Sequence, residues 1–105
     1  MLTEEQALKA IEWLKDNART MAQARAERIY MEQWVKTVKA ECMRASAGNS
    51  VAAAEMEALT TPKYLSALQA YRESIETDEN YRFLSKAAEA QYEAWRTMSA
   101  NERAG

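Results

Sequence analysis

A chain of 105 residues with 2 Gly, 1 Pro and no His is bounded to one domain near the lower edge of the common size range. It lacks the commonest neutral-pH acid–base group and metal ligand. A formal net charge of −2 gives no global attraction to nucleic acid or anionic lipid, so binding either one needs a local patch. One cysteine, Cys42, excludes an internal disulfide, and two glycines exclude a Gly-rich phosphate loop.

The opening segment MLTEEQALKAIEWLK is acidic and amphipathic, unlike a secretory leader. Thr3 followed by Glu4, Glu5 and Gln6 reads as a capping box with acidic residues in the first turn. No Gly or Pro interrupts from there to Ala45, which predicts one long helix over 4–45. Ser46-Ala47-Gly48-Asn49-Ser50 predicts a loop over 46–50, with Gly48 and Asn49 suited to a helix end and Ser50 to the next N-cap. A short helix is expected over 51–59. Thr60-Thr61-Pro62 then supplies a cap and a proline at the first helical position. The last helix is expected over 62–99, with a candidate interruption at Thr77-Asp78-Glu79-Asn80, weak helix formers and good caps. No run approaches about 18 apolar residues, so no membrane span is expected. The fold class that follows is all-α: a long, coiled-coil-like helical hairpin with a short connecting helix, in one domain over 1–105.

Helical spacing sorts the apolar residues into stripes. In the first half of the long helix Leu8, Ile11, Leu14, Ala18, Met21 and Ala22 share a face; in its second half Met31, Val35, Val38 and Cys42 do. At about 100° per residue the second stripe lies most of half a turn from the first. The last helix repeats the pattern, with Leu65, Leu68, Tyr71 and Ile75 on one side and Tyr81, Leu84, Ala88, Tyr92 and Trp95 on nearly the opposite one. Two faces imply two sets of neighbours. Met31, Val35, Val38, Cys42, Tyr81, Leu84, Ala88, Tyr92 and Trp95 are therefore candidates for packing and for an oligomer interface. A small bundle whose helices bend around each other is the alternative.

Little in the sequence points to catalysis. Cys42 sits on an apolar stripe and reads as core. Carboxylate pairs such as Glu12/Asp16 and Glu89/Glu93 lie on polar faces with no Glu-x-x-His motif beside them, so they read as solvated surface. No enzyme activity, cofactor or metal is expected. The basic residues weigh more. Between Lys15 and Arg44 seven basic and four acidic residues leave a local balance of +3. Arg25, Arg28, Lys36 and Lys39 fall in one helical sector, with Glu32 among them. A salt-bridged solvated face and a phosphate-tracking stripe both fit this pattern. Tyr30 and Trp34, one turn apart and beside that sector, are candidates for base stacking or for packing.

The order of elements resembles a known layout. A long amphipathic helix leads into a Gly/Asn loop, then Ser50-Val-Ala-Ala-Ala-Glu55-Met56, Thr60-Thr61-Pro62-Lys63-Tyr64, and a second long helix with spaced aromatics from Tyr71 through Trp95-Arg96. This resembles small helical proteins of tailed phages and prophages, and is most similar to the UvsY-like recombination mediators. The resemblance implies a homo-oligomer in the cytoplasm of an infected or lysogenic bacterial cell. It implies single-stranded DNA bound at Arg25, Arg28, Lys36 and Lys39, and a partner that is a RecA-type recombinase or a single-strand-binding protein. A protein-binding inhibitor of a host defence protein, of anti-restriction or anti-CRISPR type, and a virion-assembly adaptor are the alternatives.

Overall fold

The computed structural model describes residues 2–105 and is all-α, with the elements α1 (Glu4–Arg44), α2 (Val51–Ala58) and α3 (Pro62–Ala104). The reciprocal capping box forms: Gln6 N–H donates to Thr3 Oγ1 at 3.2 Å and Thr3 N–H to Gln6 Oε1 at 2.9 Å. It satisfies donors that the first turn leaves without partners. Ser50 caps α2, its side-chain oxygen accepting from Ala53 N–H at 3.1 Å. Thr61 starts α3, accepting from Tyr64 N–H at 3.3 Å, with Pro62 as first helical residue.

Contacts group the chain into two compact units, each drawing on both long helices: the stretch up to Gln23 with Glu79–Gly105, and Ala24–Asp78. Within the first unit the less exposed positions on α1 include Ala7, Ala10, Leu14, Asn17 and Met21; on α3 they include Tyr81, Ser85, Ala88, Tyr92, Trp95 and Ser99. Within the second they include Ala24, Arg28, Met31, Val35, Val38 and Cys42 on α1, and Tyr64, Ala67, Tyr71, Ser74 and Asp78 on α3. Ile11 and Trp13 in the first unit, and Lys39, Glu41, Met43, Ala70 and Ile75 in the second, are partly covered beside these series. Every step in these series is three or four residues, alternating, and the alternation continues in the sequence from one unit into the next. That is the heptad spacing of a coiled-coil seam.

This spacing corrects the picture of stripes that change sides. Leu14 and Met21 lie on the same heptad line as Met31, Val35, Val38 and Cys42, and Tyr71 on the same line as Tyr81, Ala88, Tyr92 and Trp95. A straight helix drifts by about 20° per heptad against such a repeat, hence about 60° over the three heptads between the stripe centres. Part of the apparent change of side is this drift. Leu8, Leu65, Leu68 and Leu84 stand outside the seam and are exposed.

The seam is thin because small residues fill much of it. The buried apolar residues are Ala7, Ala10, Met31, Val38, Cys42, Ala58, Ala67 and Ala88, and only Val38 combines size with near-complete burial, at 1% exposure. In the second unit Val38, Cys42, Ala58 and Ala67 form a cluster flanked by Val35, Met43 and Tyr64. Ala58 is how α2 joins it. The Thr61 hydroxyl lies 2.8 Å from the Ala58 carbonyl oxygen and 3.3 Å from Cys42 Sγ, tying both ends of the turn to the seam.

Two local expectations change. The helix does not break near 77–80; α3 is continuous and runs to Ala104. Three of the four suspect residues are held inside it: Thr77 donates its hydroxyl to the Glu73 carbonyl at 3.0 Å, Asp78 pairs with Arg28 across the seam at 3.2 Å, and Glu79 pairs with Arg82 at 2.7 Å. Tertiary pairing outweighs weak propensity. Gly48, read as a helix terminator, lies beyond the end of α1 and has no positive φ. It is needed for room: a Cβ there would come within 2.8 Å of Ala54 N.

Candidate interaction surfaces

The heptad register sorts the surface into two flanks. Residues just before the seam positions Ala7, Leu14, Arg28, Val35 and Cys42 form one; residues just after Ala24, Met31 and Val38 form the other. On the first flank, Gln6 and Trp13 line a groove with Leu84 and Gln91 in the first unit. In the second unit Glu27 lines a groove with Ala70 and Thr77, and Glu41 pairs with Lys63 at 2.7 Å. Like positions on the two helices meet, with numbers rising on one and falling on the other, as antiparallel pairing requires.

The four candidate basic residues do not act as one set. Arg28 occupies a seam position, and its guanidinium pairs with Asp78, whose side chain is only 16% exposed. Lys39 pairs with Glu55 of α2 at 2.8 Å. That hydrogen bond, with the charge of the same carboxylate, raises the lysine above its usual pKa. Arg25 and Lys36 are exposed and make no ion pair among the described residues. Tyr30 and Trp34 are exposed too, but on the opposite flank. Trp34 and Lys36 are two residues apart, hence roughly 200° apart around the helix. The aromatics are not beside the cations, which corrects that part of the site.

The candidate interface residues fall mostly inside the chain. Met31, Val38, Cys42 and Ala88 are buried, and Val35, Tyr81, Tyr92 and Trp95 are partly buried. Tyr92 and Trp95 stack at a tilt of 40° with ring centroids 6.1 Å apart. Leu84 alone of this group is exposed, at the groove near Trp13. The large apolar groups left uncovered are mostly others, among them Leu65, Leu68 and Ile29 in the second unit, Leu8 and Phe83 in the first, and Val51 and Met56 on α2. Ile29 and Phe83 drew no attention in the sequence because they belong to no apolar stripe at a 3.6-residue period. A scan at heptad spacing, without regard to side-chain size, would have placed them outside a narrow seam.

Across the α3 surface Leu65, Leu68, Tyr71 and Ile75, with Gln69 and Arg72, line an open apolar groove. No protein-family model, curated protein or solved structure matches the chain. Among the described residues no cluster of three or more Cys, Asp or Glu could hold a metal ion, and no helix is long and apolar enough to cross a membrane. These surfaces carry exposed leucines on one flank, and glutamates with aromatics on the other.

Proposed function

We propose that this chain is a non-enzymatic accessory protein that works by self-association and by holding other macromolecules. The type is the phage recombination or replication accessory that its sequence layout resembles. The observation that carries the reading is the row Leu65, Leu68 and Ile75, two exposed leucines and a partly covered isoleucine, with the exposed Ile29 nearby in the register. These residues lie outside a seam whose buried positions are mostly small side chains, and contiguous apolar surface of this kind marks interaction sites. Single-stranded DNA is bound in this reading through Arg25 and Lys36, repeated over several copies so that two weak contacts per chain add to a strong one. A recombinase or single-strand-binding protein is the further partner.

Titration of single-stranded DNA across a salt series tests the strand-binding part. The expected result is a linear fall of log affinity with log salt, with a slope that decreases in Arg25→Ala and Lys36→Ala. Arg28→Ala should leave the slope unchanged, because Arg28 is engaged with Asp78. No binding at low salt would remove nucleic acid from the reading. The protein partner would then be a host defence protein or a virion component.

A further inference from the structure

The second unit has two unlike flanks. On one, Leu65 and Leu68 are 50% and 42% exposed, and with Ile75 they surround Arg72 on α3. The α1 positions on the same flank include Arg25 and Lys36, neither of which makes an ion pair among the described residues. Glu32 is the acidic residue among them, and Lys39 is neutralised by Glu55. This flank is apolar and basic.

On the other flank Glu27 and Glu73 rim a groove whose remaining lining is Ala24, Met31, Ala70, Ser74 and Thr77. Glu73 accepts a hydrogen bond from the Gln69 amide at 3.3 Å, and neither glutamate makes an ion pair among the described residues. Small side chains leave room there for a leucine, and the carboxylates would meet a cation. Tyr30 and Trp34, exposed on this flank, extend its apolar surface. This flank is acidic, with a recessed floor.

A two-fold dimer must pair each patch with its own copy. Pairing the Leu68 flank with itself would bring two surfaces of the same sign together, each carrying Arg25, Lys36 and Arg72, and like charge on both sides opposes association. Pairing unlike flanks sets cations against glutamates and leucines against alanines. We propose that the Leu68 flank of one copy docks on the Glu27–Glu73 groove of a second copy, a heterologous contact. The proposal rests on the self-association reading above and specifies its geometry. Each added copy then leaves one flank of either kind unfilled, so association continues past two chains.

Complementary charge reversal tests this. One variant carries Lys36→Glu and Arg72→Glu; the other carries Glu27→Lys and Glu73→Lys. All four sites are exposed, and circular dichroism checks that helicity is retained. If either variant loses helix, the neutralising changes Arg72→Gln and Glu73→Gln replace it. Sedimentation or light scattering over a concentration series should show wild type growing beyond a dimer, and weakening as salt rises. Each reversal variant alone should associate at least about tenfold more weakly, and the neutralised variants should weaken in the same direction. An equimolar mixture of the two reversal variants should recover wild-type association. Oligomers that stop at two copies, ignore the substitutions or are not rescued by mixing would overturn the flank-to-flank contact while leaving self-association standing. A chain that stays monomeric at every concentration would overturn both, even if it binds DNA or another protein.

Discussion

At the scale of single residues, the Arg28–Asp78 pair shows how polar groups are used in this seam. Asp78 is mostly covered and takes its charge partner from the opposing helix. Removing one member of such a pair strands the other, which costs more than the pair itself is worth. Arg28→Ala should lower unfolding free energy by about 1–2 kcal/mol, less than for a fully buried pair because the guanidinium is still 34% exposed. The double change Arg28→Met with Asp78→Leu should recover much of that loss, and a denaturant double-mutant cycle measures the coupling. Val38→Ala, at the best-buried large side chain, should cost about 2 kcal/mol from lost methyl groups and the cavity left behind. The sequence made Val38 and Cys42 legible as apolar residues at helical spacing. It did not reveal that Arg28 belongs with them, because an arginine among polar neighbours looks like surface until a specific carboxylate faces it. The same blindness made four cations look like one patch, whereas two are spent on Asp78 and Glu55.

Among the elements, α2 is the most finely fitted. Gly48 passes so close to Ala53 and Ala54 that Gly48→Ala must displace backbone, at about 1–3 kcal/mol. Ser50→Ala, which removes the cap on Ala53 N–H, should cost about 1 kcal/mol. Ion pairs around this turn make stability depend on pH at both extremes. Lys63 holds the Glu41 carboxyl below its ordinary value of 4.5. That contribution is present above the ordinary value and lost as pH falls through the lowered one. Lys39 and Lys63 are raised above 10.5 by Glu55 and Glu41. Their contribution is complete below that value and lost as pH rises through the raised ones. Thermal melts should therefore be flat through neutrality and fall at both ends, and Glu41→Gln should remove part of the acid-side fall. Helix existence, both caps and the proline start were legible because capping is local chemistry. The continuity of α3 through Thr77–Asn80 was not, since Asp78 there takes its partner from fifty residues away.

For the whole molecule, the seam's period carries more than its composition. Counting at 3.6 residues per turn placed Leu14, Met21 and Tyr71 on stripes apart from the rest of their heptad lines, and so assigned Met31 through Cys42 and Tyr81 through Trp95 to a candidate interface. The packing inside one chain uses most of them, and the residues left outside it include Leu65, Leu68, Ile29 and Phe83. If these are covered by further copies, the melting temperature should rise with protein concentration. Leu68→Ser should abolish that rise with little effect on the dilute chain. The two units also differ in how much intervening chain each must tame. Ala24–Asp78 closes on itself around a short turn, whereas the other unit unites segments from opposite ends of the sequence. Bringing distant segments together costs more configurational freedom before any contact repays it. Assembly is thus expected to begin at the turn and travel outward, like a zip fastened at one end only. Native-state deuterium uptake should reach the amides of Leu14–Met21 well before those of Val35–Cys42. Equal protection along α1 would mean that the two ends meet as early as the turn does.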